Sequence, residues 1–120
     1  MPHDPKKLLY DMKAGAERIE RFVAGKSFED FLKDEMLQSA VDRQFTIIGE
    51  AMSRLRKLSP EIAKEISGQN QIVGFRNILI HDYDRVDYRI TWSTILKHLP
   101  VLRREVDQLL ARLDPRPPQL

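Results

Sequence analysis

Residues 36–58 read MLQSAVDRQFTIIGEAMSRLRKL, and this stretch decides the fold. Val41, Phe45, Ile48, Met52 and Leu55 recur at three- and four-residue spacing, which puts them on one face of a helix. A second set, Met36, Ala40, Ile47, Ala51 and Leu58, lines up roughly 90° further round at about 100° per residue. A strand has no use for this pattern, because its side chains alternate every second residue. A helix apolar over so wide an arc is either central in its own bundle or shared with a partner chain. The stretch therefore predicts a long helix and, through its second face, a homodimer.

The flanking segments read the same way. Upstream, Leu8, Met12, Ala16, Ile19 and Val23 predict a helix from about Asp4 to Val23, with Gly25 as its stop. Ser27 is a good N-cap with Asp30 three residues on, and a break is expected near Lys33. Downstream, Ser59-Pro60-Glu61 supplies a cap, a proline at the first helical position and an acidic first turn. That short helix should end at Gly68, and another should run from Gln71 to about His81. Asp87 caps a last long helix, about Tyr88–Leu113. Pro100 should kink it without ending it, because Leu99, Leu102, Val106, Leu109 and Leu113 keep the period. No stretch alternates like a strand. The fold class is all-α, an antiparallel helical bundle, with residues 1–113 as one domain and 114–120 (DPRPPQL) as a flexible tail.

Composition narrows the function. At 120 residues, 42% hydrophobic and 32% charged, the chain has the balance of one globular domain. It has no cysteine, which removes disulfides, thiolate metal sites and cysteine nucleophiles. Its three histidines, His3, His81 and His98, are far apart, so no metal site and no cofactor are expected. No apolar run approaches the ~20 residues that span a bilayer, so no membrane contact and a cytoplasmic location are expected. The net charge is only +2. Residues 76–104, however, carry six basic side chains (Arg76, Arg85, Arg89, Lys97, Arg103 and Arg104) against Asp82, Asp84 and Asp87.

The chemistry concentrates in Gly74–Tyr83, GFRNILIHDY, where Arg76, Asn77, His81 and Tyr83 flank an apolar run. Asn77 and His81 are four residues apart and share a helix face, so the amide is placed to orient the imidazole. Arg76 and His81 are five apart, about 140° round the axis, and do not share one. Arg76 must use its length to reach the histidine, or meet the His81 of a second chain. Arginine with histidine suits a phosphodiester. The imidazole titrates near neutrality and can accept the proton of an RNA 2′-hydroxyl or donate one to the leaving 5′-oxygen. The guanidinium fork matches phosphoryl oxygens and stabilises their growing charge. A two-fold dimer supplies two such histidines, one for each transfer. Spacing alone fits better a helix-end histidine beside a salt-bridged arginine.

The chain resembles the HEPN superfamily, and within it the HepT-like toxins of prokaryotic type VII toxin–antitoxin pairs. The resemblance rests on Arg76-x4-His81-x-Tyr83 with polar Asn77 after the arginine, and on its surroundings. GFRNILIHDYDRVD is similar to the family's motif region, RQFTIIGEAMSRL to its long helix, LYDMKAGAERIERFVAGKSFEDF to its opening and LKHLPVLRREVDQLL to its closing helix. It departs at Asp82, where relatives often carry a small residue; a carboxylate beside the histidine would repel phosphate. The resemblance implies an all-α homodimer with the motif at a cleft between subunits, acting as a metal-independent endoribonuclease on an RNA substrate. Arg76 and His81 would be catalytic. It also implies a cognate minimal nucleotidyltransferase antitoxin, MntA-like, that transfers AMP from ATP to Tyr83.

Other residues read more plainly. Arg85 and Arg89 are the candidates for RNA-backbone contacts. Trp92 reads as core or interface packing, His98 as a surface residue, and Glu50 with Arg54 as a surface i, i+4 pair. Two alternatives remain at this level: a non-catalytic HEPN subunit that binds nucleotide or a nucleotidyltransferase, and a plain helical oligomerisation domain.

Overall fold

Local signals set the helix boundaries in the computed structural model, which describes residues 4–115. Asp4 caps α1 (Pro5–Val23), its carboxylate accepting from the Lys6 N–H at 2.8 Å. Gly25 reverses the chain at φ +75°, a conformation that a side chain would oppose. Ser27 and Asp30 then form a reciprocal capping box that opens α2 (Phe28–Lys33). The expected break falls at Asp34, whose carboxylate accepts from the Leu37 N–H at 3.0 Å and starts α3 (Glu35–Leu58).

The 24-residue α3 is the central element. It packs against α1 on one side and against α5 (Gln69–His81) on another, while α7 (Leu99–Leu113) closes against α1. Leu9, Met12 and Ile19 of α1 meet Val41, Ile48, Met52 and Leu55 of α3 and Leu102 and Val106 of α7 in one buried core. At about 25 cal/mol per Å² of apolar area removed from water, this shared core holds helices that would be marginal alone. The second apolar face of α3 divides: Ala51 joins the core, whereas Met36 is 82% exposed and Leu58 lies open at the helix end.

Two expected boundaries move. The Ser59 hydroxyl bonds the Glu61 carboxylate at 3.0 Å and does not cap, so α4 is a single turn, Pro60–Ala63. Gly68 does not end α4; it precedes α5, which begins at Gln69, two residues earlier than the spacing predicts. The last helix is continuous from Tyr88 to Leu113: α6 (Tyr88–Ser93), a π turn over Thr94–His98, then α7. Proline lacks an N–H and its ring crowds the carbonyl four residues back. The widened turn just ahead of Pro100 takes up that mismatch without breaking the helix.

Trp92 packs on Phe31 and Phe28, with ring centroids 5.3 and 6.3 Å away, as core packing predicts. Asp114, at the start of the expected tail, accepts from the Tyr10 hydroxyl at 2.9 Å. Residues 116–120 and His3 lie outside the described residues. Among the described residues the fold is all-α, and no helix is long and apolar enough to cross a membrane. α5 sits at the edge of the bundle, and between it and the last helix runs an open apolar groove of about 680 Å³, lined by Ile72, Phe75, Ile78 and Ile90 among others.

Candidate active site

Arg76 stands in the middle of α5, on the face turned toward α3. The close approach depends on Gly49: a Cβ there would run into Arg76 Cβ and lie 2.7 Å from its Cγ. The guanidinium is then fixed from two sides. Its Nη2 donates to Glu50 Oε2 at 2.7 Å and its Nη1 to Asn77 Oδ1 at 2.8 Å. Nε is buried with no partner. The hydrogen bond from Arg76 holds the Glu50 carboxyl below its usual range, and Arg54, 3.7 Å away, adds to the effect. The arginine is thus preorganised, with N–H groups left over for an anion.

His81 is the last residue of α5 and is exposed. Ile78, one turn earlier, lines the apolar groove, which places the histidine near that groove's end. Among the described residues no hydrogen bond or ion pair joins His81 to Arg76 or to Asn77; the Asn77 oxygen serves the arginine. Arg76 facing α3 and His81 at the helix end match the two-face geometry expected from their spacing. Asp82, the departure from the family pattern, directs its carboxylate to Arg85 at 3.3 Å.

Tyr83 opens the 3₁₀ turn Tyr83–Arg85 and is 54% exposed. Its hydroxyl lies 3.4 Å from Asp42 Oδ2 and 3.3 Å from the Tyr88 hydroxyl. Asp42 comes from α3 and is only 7% exposed. Burial pushes its carboxyl up to about 6, against the lowering effect of the Tyr83 hydrogen bond. Burial and the bond to Tyr83 likewise raise the Tyr88 phenol above its usual value. Arg85 and Arg89 are both well exposed, and Arg89 grips Asp87 with a two-pronged fork at 3.2 and 3.0 Å.

Three participants escape the sequence reading. Glu50 pairs with Arg76 across 26 positions as well as with Arg54, a contact no local spacing reveals. Tyr88 has no motif around it and joins the site only through the turn. Asp42 left no clear signal: at about 100° per residue it lies off both apolar faces of α3, so nothing in the pattern marks it as buried. Among the described residues no group of three or more acidic or histidine side chains gathers as a metal-ligand cluster.

Comparison with known proteins places the chain. The family model described as ribonuclease HepT-like matches residues 12–109. The chain belongs to the HepT-like ribonuclease family. This HepT-like chain is 46% identical over 94 residues to a protein of Caldanaerobacter subterraneus subsp. tengcongensis that is provisionally named an RNase, covering 78% of this chain and 82% of that one. It is 35% identical over 113 residues to a Thermococcus cleftensis protein provisionally named ribonuclease HepT, covering 91% and 98%. A Methanocaldococcus jannaschii protein, also provisionally named an RNase, is 32% identical over 104 residues, covering 87% and 94%. No solved structure is matched significantly by the HepT-like chain.

Proposed function

We propose that this HepT-like chain is the toxin of a type VII toxin–antitoxin pair: a homodimeric, metal-independent endoribonuclease neutralised by transfer of AMP to Tyr83. The observation that carries the reading is the intact Arg76-x4-His81-x-Tyr83 set along the second half of α5 and the turn that follows it, with the arginine anchored and the histidine and tyrosine exposed. The groove beside α5 supports the dimer. It is apolar, it adjoins the motif helix, and Ile90 on its rim is 59% exposed. An isologous contact along it would bring two motif helices together and let the arginine and histidine faces of both chains meet.

The chemistry follows from the side chains. One histidine takes the proton of the ribose 2′-hydroxyl as that oxygen attacks phosphorus; the other returns a proton to the departing 5′-oxygen. Arg76 holds the phosphoryl oxygens with its spare N–H groups, and Glu50 keeps the guanidinium from wandering. Arg85, on the exposed turn after the motif, and Arg89, in the first turn of α6, would contact the RNA backbone. AMP on Tyr83 would add negative charge and a purine at the mouth of the site, excluding RNA by charge and by volume.

Expression of the chain alone in a bacterial host should arrest growth, and His81→Ala should relieve the arrest with the protein still folded. Co-expression with the nucleotidyltransferase should shift the intact mass by one or more AMP units on Tyr83. Equal growth with wild type and His81→Ala would contradict the nuclease reading. Full protection without a mass shift would contradict the Tyr83 reading alone.

A further inference from the structure

The Asp42–Tyr83–Tyr88 cluster has no part in RNA cleavage as derived above, yet it has the parts of an activated nucleophile. A tyrosine hydroxyl is a weak nucleophile until a neighbouring base takes its proton. Tyr83 is half exposed and reachable from solvent, while Asp42 behind it is buried. The Tyr83 hydroxyl is in reach of Asp42 Oδ2 at 3.4 Å. The other oxygen, Oδ1, is buried with no hydrogen-bond partner, and among the described residues Asp42 has no ion pair. A buried, uncompensated carboxylate has a strong appetite for a proton.

Proton bookkeeping gives the cluster a direction. An ionised carboxylate only accepts, so Tyr83 is the donor to Asp42. The Tyr83 hydroxyl has one hydrogen, so the 3.3 Å contact with Tyr88 must run the other way, with Tyr88 donating to Tyr83. As Tyr83 loses its proton, the Tyr88 hydrogen bond strengthens on the developing phenolate. Tyr88 keeps its own proton, since its environment pushes it above the normal phenol value.

We propose that Asp42 is the general base that makes Tyr83 a nucleophile, with Tyr88 stabilising the phenolate, so that the chain supplies its own catalysis for nucleotidyl transfer onto Tyr83. This rests on the reading of Tyr83 as the modified residue and adds the groups that make it reactive. The step balances. The Tyr83 oxygen forms a bond to the α-phosphorus of a nucleoside triphosphate, the bond from that phosphorus to the bridging oxygen breaks, and pyrophosphate leaves. The phenolic proton passes to Asp42 Oδ2 and from there to solvent. The ionisable groups facing Asp42 are Tyr83 from the turn and Tyr88 from α6, with Glu35 of α3 acting in turn on Tyr88. Burial sets the carboxyl near 6, so it is ionised at neutral pH yet more basic than an exposed aspartate.

Two probes test this. The first needs no partner: an arylsulfonyl fluoride, which captures activated tyrosines, is reacted with the full chain and Tyr83 labelling is followed by peptide mass. The wild-type rate should rise with one ionisation near pH 6 and then level off. Asp42→Asn should label at least about tenfold more slowly at neutral pH, at the low end of what a positioned base contributes. Tyr88→Phe should slow labelling less. A wild-type rate that climbs steadily with hydroxide through pH 6–9, or an Asp42→Asn rate equal to wild type, would overturn the role of Asp42. The wild-type profile decides the matter even if the variant fails to fold. The second probe is ATP with magnesium and the nucleotidyltransferase, read by intact mass. AMP added at the same rate to wild type and Asp42→Asn would overturn the proposal. Tyr83 labelled by the sulfonyl fluoride in the predicted way but never carrying AMP would overturn the modification reading and uphold the base.

Discussion

Asp42 has a consequence for stability as well as for chemistry. Its carboxyl titrates near 6 in the fold and near 3.8 when unfolded. Between those values the native state holds the proton more tightly, so stability falls as pH rises through the window and the full cost is in place above about 6. After allowance for screening by solvent on the Tyr83 side, the cost is on the order of 1–2 kcal/mol. Asp42→Asn removes the charge and keeps an oxygen for Tyr83. It should therefore raise Tm by a few degrees at pH 8, and the gain should shrink toward nothing at pH 4, as thermal melts at the two pH values will show. A gain independent of pH would mean that Asp42 is not buried as a charge. Legibility at this scale was uneven. Arg76, His81 and Tyr83 stand out because three polar types at fixed spacing interrupt an apolar run. Glu50 was legible only as the partner of Arg54, because its tighter bond to Arg76 is made by tertiary packing.

At the scale of elements, the seat of α5 on α3 is what aims the arginine. Gly49 makes that seat possible, and the atom a new methyl would strike is Arg76 Cβ, which cannot swing away as a side-chain tip does. Gly49→Ala should push α5 outward, cost roughly 1–3 kcal/mol in denaturant unfolding and reduce cleavage through the loss of the Arg76–Glu50 geometry. Unchanged stability with full activity would show that α5 is not locked there. The long helices were legible because three or more turns of apolar period leave little choice. The short pieces were not. One-turn α4 carries no period, so Gly68 looked like its stop when it precedes α5. The π turn before Pro100 is a response to strain, which periodicity registers only as a continuing helix.

For the whole molecule, one chain leaves Arg76 turned to α3 and His81 exposed at the helix end, and the apolar groove beside them is open. The proposed self-association along the groove would account for both. Ile90→Asp puts a charge on its rim at a residue that is already exposed, so the monomer fold should survive. Sedimentation should show wild type at twice 14.0 kDa and the variant at 14.0 kDa, with RNA cleavage lost although the motif is untouched. A wild-type monomer that cleaves RNA would break the dimer argument. The two-faced α3 pointed to a partner, but its own chain covers Ala51, and the groove carrying Ile90 is formed only once α5 and the last helix are in place. The reaction itself is tested most directly by the ends it leaves. Purified chain should cut RNA in excess EDTA and leave a 2′,3′-cyclic phosphate facing a 5′-hydroxyl, and His81→Ala should lose about 10²–10⁴-fold in rate. Cleavage that requires a divalent metal, or products with 5′-phosphate ends, would contradict a histidine–arginine mechanism.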